Sequence, residues 1–224
     1  MICWTSVQIQ AAPDHRISNS VVQILGRDQG GRLYFGSGVV ISNAQVATNC
    51  HVVRSGGNLE VHRGYRTYPV TGERVDMEGD LCLLEVPGLD IRSARIGSTA
   101  SLKRGDSLHF YGFPRALGLS YTDGRLIRIS QRSGVPLMET SVFFTLGGSG
   151  GGLFDGKGRL VGFATFISKG HSGGYFAVGV DRLSRVRNKP LKPIEMLQGP
   201  VFWEQSVSDA KGPNANASPR AGHR

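Results

Sequence analysis

The stretch Leu33-Tyr-Phe-Gly-Ser-Gly-Val-Val-Ile-Ser-Asn-Ala-Gln-Val-Ala-Thr-Asn-Cys-His-Val-Val53 decides how this chain is read. Leu33–Ile41 and Gln45–Thr48 are short runs rich in aliphatic, β-branched and aromatic residues, parted by a turn at Asn43. That is the pattern of two successive strands. The same pattern recurs at Val21–Leu25, Leu59–His62, Leu81–Val86, Ser107–Phe113, Arg125–Ser130, Gly152–Phe154, Leu160–Ile167 and Tyr175–Val180. Turn formers separate these runs at Asp28–Gly31, Gly56-Gly57, Gly105-Asp106, Asp123-Gly124, Asp155–Gly158 and Gly173-Gly174. Many short strands with few helical stretches indicate an all-β barrel or sandwich. A short helix is expected over Asp181–Asn188, and the polar stretch Gly97–Asp106 divides the strands into two groups of similar number.

Composition narrows the class. Hydrophobic residues make up 39% and charged residues 19% of 224, too apolar and too weakly charged for a chain disordered throughout. The longest apolar runs, such as Leu81–Leu84, fall far short of the roughly 20 residues of a spanning helix. Glycine is abundant, 32 residues without a triplet period, which fits tight turns and places where backbone approaches a ligand closely. The net charge is +9, from 26 Lys and Arg against 17 Asp and Glu. No run of five basic residues occurs and no aromatic-basic repeat for base stacking, so specific nucleic-acid binding is not expected. Three cysteines, at 3, 50 and 82, with no C-x-x-C, argue against a disulfide framework and against zinc; Cys50 and Cys82 could lie near each other, and buried free thiols are expected, with their pairing left open. No cofactor or metal is implied.

The ends differ from the middle. Residues 1–16, MICWTSVQIQAAPDHR, lack the basic start and continuous apolar core of an export signal. From Lys189 onward, Lys-Pro-Leu-Lys-Pro and Gln-Gly-Pro break regular structure. A partly ordered extension is expected over 189–210, with Phe202-Trp203 as its anchor, and a disordered basic tail over 211–224.

Three residues stand in settings suited to chemistry. Ser149 lies in Leu146-Gly-Gly-Ser-Gly-Gly-Gly-Leu-Phe154. A serine hydroxyl attacks a carbonyl only when a base takes its proton, and the developing oxyanion needs donors set in place beforehand. A sharp turn at Gly147, Gly148 and Ser149 would aim backbone N–H groups at it; a flexible glycine-serine loop is the plain alternative. His51 follows a strand and is the one histidine of six in such a setting. Asp80 opens Asp80-Leu-Cys-Leu-Leu-Glu-Val86, where a carboxylate just before a buried strand can orient an imidazole. A turn aspartate is the plain alternative, and Asp76 competes for the role.

Taken together, these residues and their surroundings resemble a chymotrypsin-fold (trypsin-like) serine protease, most of all the bacterial HtrA/Deg branch. Thr48-Asn-Cys-His-Val-Val53 resembles the T-N-x-H-V-V motif, Asp80–Val86 the D-[LI]-A-L-[LI]-x-V motif, and Gly147-Gly-Ser-Gly-Gly151 the G-N-S-G-G motif. Ser37–Ser42, Gly105–Pro114, Tyr121–Ser130, Leu160-Val-Gly162 and Phe176-Ala-Val178 resemble further segments of that branch, so the likeness covers residues 18–185.

The resemblance implies two packed six-stranded Greek-key β-barrels with a short helix after the last strand. The domain would span 18–188, with the first barrel at 18–97 and the second at 107–180. It implies a serine endopeptidase with His51, Asp80 and Ser149 as the triad and Gly147, Gly148 and Ser149 around the oxyanion. Phe143, Thr165, Phe166 and Ile167 would line the substrate site, Ala164–Ile167 as an edge strand pairing with an unfolded or extended polypeptide and Thr165 as a hydroxyl behind the aspartate. A bacterial periplasmic or secreted location rests on the resemblance alone. No PDZ domain is expected in the 34 residues after 190.

The departures from the family pattern matter too. Gly148 stands where the family often has Asn, and the added Gly151-Gly152 predict a looser oxyanion turn. No acidic residue occurs in Val142–Leu146, Phe163–Ile167 or Gly174–Val178, so cleavage after small or medium aliphatic residues, not Lys or Arg, is expected. Lys169 and His171 are loop positions that would favour an acidic side chain if they reached the pocket. Two other readings stay open: a protease homologue with little turnover that binds extended peptides, and, more weakly, a basic nucleic-acid partner.

Overall fold

The computed structural model describes residues 15–168 and 174–204. After a single helical turn, α1 (His15–Ser18), the chain forms β1 (Val21–Arg27), β2 (Leu33–Ser42), β3 (Gln45–Thr48), the one-turn helix α2 (Cys50–Val53), β4 (Asn58–Arg63), β5 (Arg66–Pro69), β6 (Gly72–Asp76) and β7 (Leu81–Glu85). These strands make one antiparallel sheet in the order β5-β4-β1-β2-β3-β7-β6. Only Val70 and Thr71 separate its two outermost strands, so the sheet curls back on itself. The Val70 amide donates to Leu59 and the Thr71 amide to Glu85, on opposite sides of the junction.

The second lobe comprises β8 (Ser107–Gly112), β9 (Ser120–Arg132), β10 (Val135–Thr140), β11 (Gly152–Asp155), β12 (Leu160–Ser168) and β13 (Gly174–Gly179). They close into a six-stranded barrel, β10-β13-β12-β11-β8-β9. A 3-10 turn at Val180–Arg182 and the helix α3 (Leu183–Arg187) follow the last strand. The fold is the chymotrypsin-like double barrel, with one lobe a closed barrel and the other a curled sheet of seven strands.

Three strands carry no clear signal in the sequence. In β5, Arg66-Thr-Tyr-Pro69, only Tyr68 is buried, and its proline suits an edge strand. In β6, Glu73 is buried, which inverts the usual alternation. In β10, Pro136 lies just before the register with β13, which begins at Leu137, so the missing N–H breaks no bond on that side.

Apolar residues of both lobes meet in one cluster. Val21, Val39, Leu81 and Leu83 of the first sheet pack with Tyr111, Phe154, Leu160 and Phe163 of the barrel. Burial of this kind contributes roughly 25 cal/mol per Å² of apolar surface, so this shared cluster joins the two lobes into one body.

The cysteines require a correction. Cys50 and Cys82 are not free thiols but a disulfide, with Cα atoms 5.0 Å apart, inside the range such a bridge spans. Pairing of Thr48 with Cys82 in the β3–β7 ladder brings Cys50 alongside β7. That register is long-range information, invisible to a count of cysteines. Cys3 lies outside the described residues.

Candidate active site

Asp80 caps the 3-10 turn Met77–Gly79 in the left-handed region, at φ 49°. Aspartate tolerates this conformation better than most residues. Its carboxylate is fully buried and meets His51 twice: Oδ2 lies 2.7 Å from the imidazole Nδ1, and Oδ1 accepts from the His51 backbone N–H at 2.9 Å. The second contact fixes the carboxylate against the turn that carries the imidazole. Asp76, the competing carboxylate, is instead paired with the buried Arg182, which donates to both of its oxygens.

Asn49, two residues before His51, holds the lobes together at the site. Its amide Nδ2 donates to the Asp80 carbonyl at 2.8 Å and to Thr165 Oγ1 at 3.2 Å, while its Oδ1 accepts from the Gly150 N–H at 2.7 Å. Asn49 is completely buried, and every one of these bonds bridges distant parts of the chain. A lone asparagine in a motif carries no such signal; only the assembled lobes reveal it. Ser37 adds a second clasp. Its Oγ donates to the Gly147 carbonyl at 2.7 Å and accepts from the Phe113 N–H at 2.8 Å, and its N–H donates to the Ser149 carbonyl at 2.9 Å.

The glycine turn is therefore tightly packed, contrary to the expectation of a loose one. A Cβ at Gly150 would lie 2.1 Å from the Ser37 carbonyl oxygen, and one at Gly151 would lie 2.6 Å from the Phe110 ring. The Gly148 N–H donates to Thr145 at 2.8 Å and the Gly151 N–H to Gly148 at 2.9 Å. Gly148 thus spends its amide inside the turn. Among the described residues, no acceptor meets the amides of Gly147 and Ser149. The Ser149 hydroxyl donates to the Thr165 carbonyl at 3.1 Å.

Thr165 does not touch the aspartate with its hydroxyl. That group donates to Phe163 and accepts from Asn49 and the Val178 N–H. The donor behind Asp80 is Trp203, whose Nε1–H reaches Asp80 Oδ2 at 2.9 Å. Phe166 stacks on Trp203, with ring centroids 5.4 Å apart. Phe143 and Ile167 are exposed, whereas Phe144 is buried in the barrel core. Lys169 and His171 lie outside the described residues.

Two acids, Glu73 of β6 and Glu204 near the end of the described chain, titrate away from their ordinary values. Burial pushes Glu73 up to about 7, against the opposing pull of Lys192. Burial also raises Glu204, but its bonds to Arg54 and to the Val201 N–H outweigh that and hold it below the usual range.

A double-barrel fold that carries a His–Asp pair and a glycine-flanked serine is the architecture of the trypsin-like class. The family model of the trypsin-like peptidase domain matches residues 36–163, and the chain belongs to that family. The chain is 32% identical over 158 residues to the mitochondrial serine protease HTRA2 of Drosophila grimshawi, covering 65% of this chain and 37% of that protein. It is 31% identical over 174 residues to a probable periplasmic serine endoprotease, DegP-like, of Pseudomonas putida, covering 73% and 36%. The chain thus spans little more than a third of the length of these relatives. Among solved structures, the Rv3671c protease of M. tuberculosis in its active form superposes with a TM-score of 0.73 at 21% identity, covering 88% of this chain and 97% of that one. The HtrA-type protease AlgW, solved with a tripeptide, gives 0.71 at 23% identity, covering 77% and 60%.

Proposed function

We propose that the chain is a serine endopeptidase of HtrA-like type that hydrolyses extended polypeptide. The observation that carries this reading is the Asn49–Gly150 bond of 2.7 Å. It clamps the residue after Ser149 to the turn bearing His51, next to the 2.7 Å contact of His51 with Asp80. In this reading Ser149 Oγ attacks the peptide carbonyl carbon, and His51 takes the hydroxyl proton and returns it to the leaving amine. Asp80 holds the imidazole in the required tautomer, and water then hydrolyses the acyl-serine. The free amides of Gly147 and Ser149 receive the oxyanion, and Gly148 keeps the turn between them in shape.

The Ser149 rotor fits a simple exchange. A 3.1 Å O–H···O contact is long, so turning the hydroxyl toward His51 costs little. The turn also frees the Thr165 carbonyl to accept an N–H from a peptide laid along the edge of β12 at Phe166 and Ile167. Phe143, exposed and edge-on to Tyr175 at 5.5 Å, offers an apolar wall suited to small or medium aliphatic side chains.

That same hydroxyl contact is what a peptide-binding homologue with little turnover would also show, so the two readings need one experiment. A fluorophosphonate probe labels Ser149 in an active enzyme and leaves a binding module unlabelled. Incubation with denatured casein, followed by mass spectrometry, then reports specificity; cleavage chiefly after Lys or Arg would overturn the aliphatic assignment.

A further inference from the structure

Behind the helix α3, residues 188–204 run back across the first lobe as a strap. Lys192 pairs with Glu73 of β6, its N–H donating to the Glu73 carbonyl at 2.9 Å and its carbonyl accepting from the Glu73 N–H at 2.8 Å. The Leu197 N–H donates to Arg54 at 2.9 Å, and its side chain joins the core of the first lobe. The Arg54 guanidinium, in turn, holds Glu204 through two bonds of 3.0 and 3.1 Å. Phe202, buried to 2% exposure, then packs with Val135, Leu137 and Val178 of the barrel. The strap therefore crosses the first lobe and ends against the barrel.

Its course delivers Trp203 to the centre of the site. The indole stacks on Phe166 and stands edge-on to the His51 ring at 5.5 Å and 89°. Its N–H reaches the Asp80 oxygen that already receives the imidazole. With the His51 backbone amide on the other oxygen, three N–H groups converge on one buried carboxylate. Hydrogen bonds to a charged acceptor are stronger than neutral ones, and each donor removed leaves the buried charge less well compensated.

We propose that Trp203 is a positioning residue of the proton relay: the C-terminal strap completes the site by supplying the donor that holds Asp80, and through it His51, in the working geometry. The proposal rests on the proteolytic reading above and extends it, since Trp203 lies 40 residues beyond the family match that ends at 163.

The test separates packing from hydrogen bonding. Trp203→Phe keeps an aromatic ring against Phe166 and His51 but removes the N–H. Replacing Trp203 by 3-benzothienylalanine keeps the full bicyclic shape with sulfur in place of the N–H. Both variants are expected to label with fluorophosphonate about 10-fold more slowly, the size of one lost bond to a charged group. Peptide kcat should fall with KM within about twofold, since substrate binding does not use the bond. The acid limb of the pH–rate profile should move to higher pH, because a carboxylate short of a donor pulls harder on the imidazole proton. The melting temperature of the isosteric variant should stay within a few degrees of wild type.

A second readout does not depend on turnover: the downfield proton resonance of the His51 Nδ1–H, which should shift in the isosteric variant. If the wild-type chain neither labels nor cleaves, the proteolytic reading fails, and the resonance alone then decides whether Trp203 governs the pair. Wild-type labelling rate, pH profile and resonance in the isosteric variant would overturn the proposal.

Discussion

The two lobes solve the same architectural problem differently. Every strand of the second lobe has a partner on both sides in the closed ring, and its core of Leu108, Phe110, Leu126, Met138 and Leu153 comes from its own sequence. The first lobe is a curled sheet with ends at β5 and β6. It is completed by a disulfide, by a buried acid and by a strap from the far end of the chain. The lobe that closes on itself bears Ser149, and the lobe whose sheet has open ends bears His51 and Asp80. A serine on a rigid glycine turn needs only close packing, whereas a buried carboxylate inside an apolar body needs extra donors and staples.

Changes to the groups proposed to react should break function without touching this difference. Ser149→Ala should abolish hydrolysis while leaving the melting temperature near that of wild type, since one partly exposed oxygen is lost. Asp80→Asn should lower the rate by roughly 10⁴, the loss known for an aspartate-to-asparagine change in a serine protease triad. Retained turnover in Ser149→Ala, measured with a fluorogenic peptide, would falsify the assignment of the nucleophile.

Removing the staple should fall on the first lobe. Cys50→Ala with Cys82→Ala opens a loop of 32 residues, and loop-closure entropy alone puts the loss at about 3–4 kcal/mol. Hydrogen exchange should accelerate in β3 and β7 well before β11 and β12. Equal acceleration in both lobes would show that the stability of the first lobe does not depend on its bridge.

Glu73 offers a subtler probe. It is fully buried, its carboxylate oxygens meet no well-formed hydrogen bond among the described residues, only the weaker pull of the Glu195 backbone, and Lys192 Nζ stands 4.0 Å away. Its ordinary value of 4.5 is raised to about 7 in the folded protein. Between these values the unfolded chain has released the proton and the folded chain still holds it, so stability falls as pH rises through that window and levels off above it. Denaturant titrations at pH 5 and pH 8 should show the wild type losing stability relative to Glu73→Gln. A flat difference between the two proteins would mean that the acid is compensated in a way these contacts do not account for.

The smallest effect is expected at the end of the chain. Residues 211–224 are Pro, Asn, Ala, Ser and Gly with basic residues, too poor in apolar side chains to bury a core. Their deletion should leave catalysis and melting temperature unchanged, and a drop of several degrees would point to a docking role.

Much of this was legible in the sequence, for local reasons. Strands such as Leu33–Ser42 and Leu160–Ser168 announce themselves because a run of β-formers between turn residues is short-range information. Asp80 and Ser149 stood out because each sits at the border of an apolar run or a glycine turn. Other features were hidden in the same sequence. The polar strands β5 and β6 pair only because neighbours far along the chain accept them. Gly151 and Gly152 looked like slack, yet they are the only residues small enough for the space that Phe110 and Phe154 leave.

The sequence by itself determined an all-β class, the places of most of the strands and the three residues nominated for chemistry, since these are written in periodicity, in side-chain type and in motifs that resemble a known family. The tertiary structure alone decided which carboxylate meets the imidazole, that Cys50 and Cys82 join, and that Asn49 clamps one lobe to the other. It alone brought Trp203 to Asp80 across 123 residues. Contacts of that separation depend on the registers of two sheets and the course of one strap. No local pattern encodes them, because only packing of the whole chain brings their partners within reach.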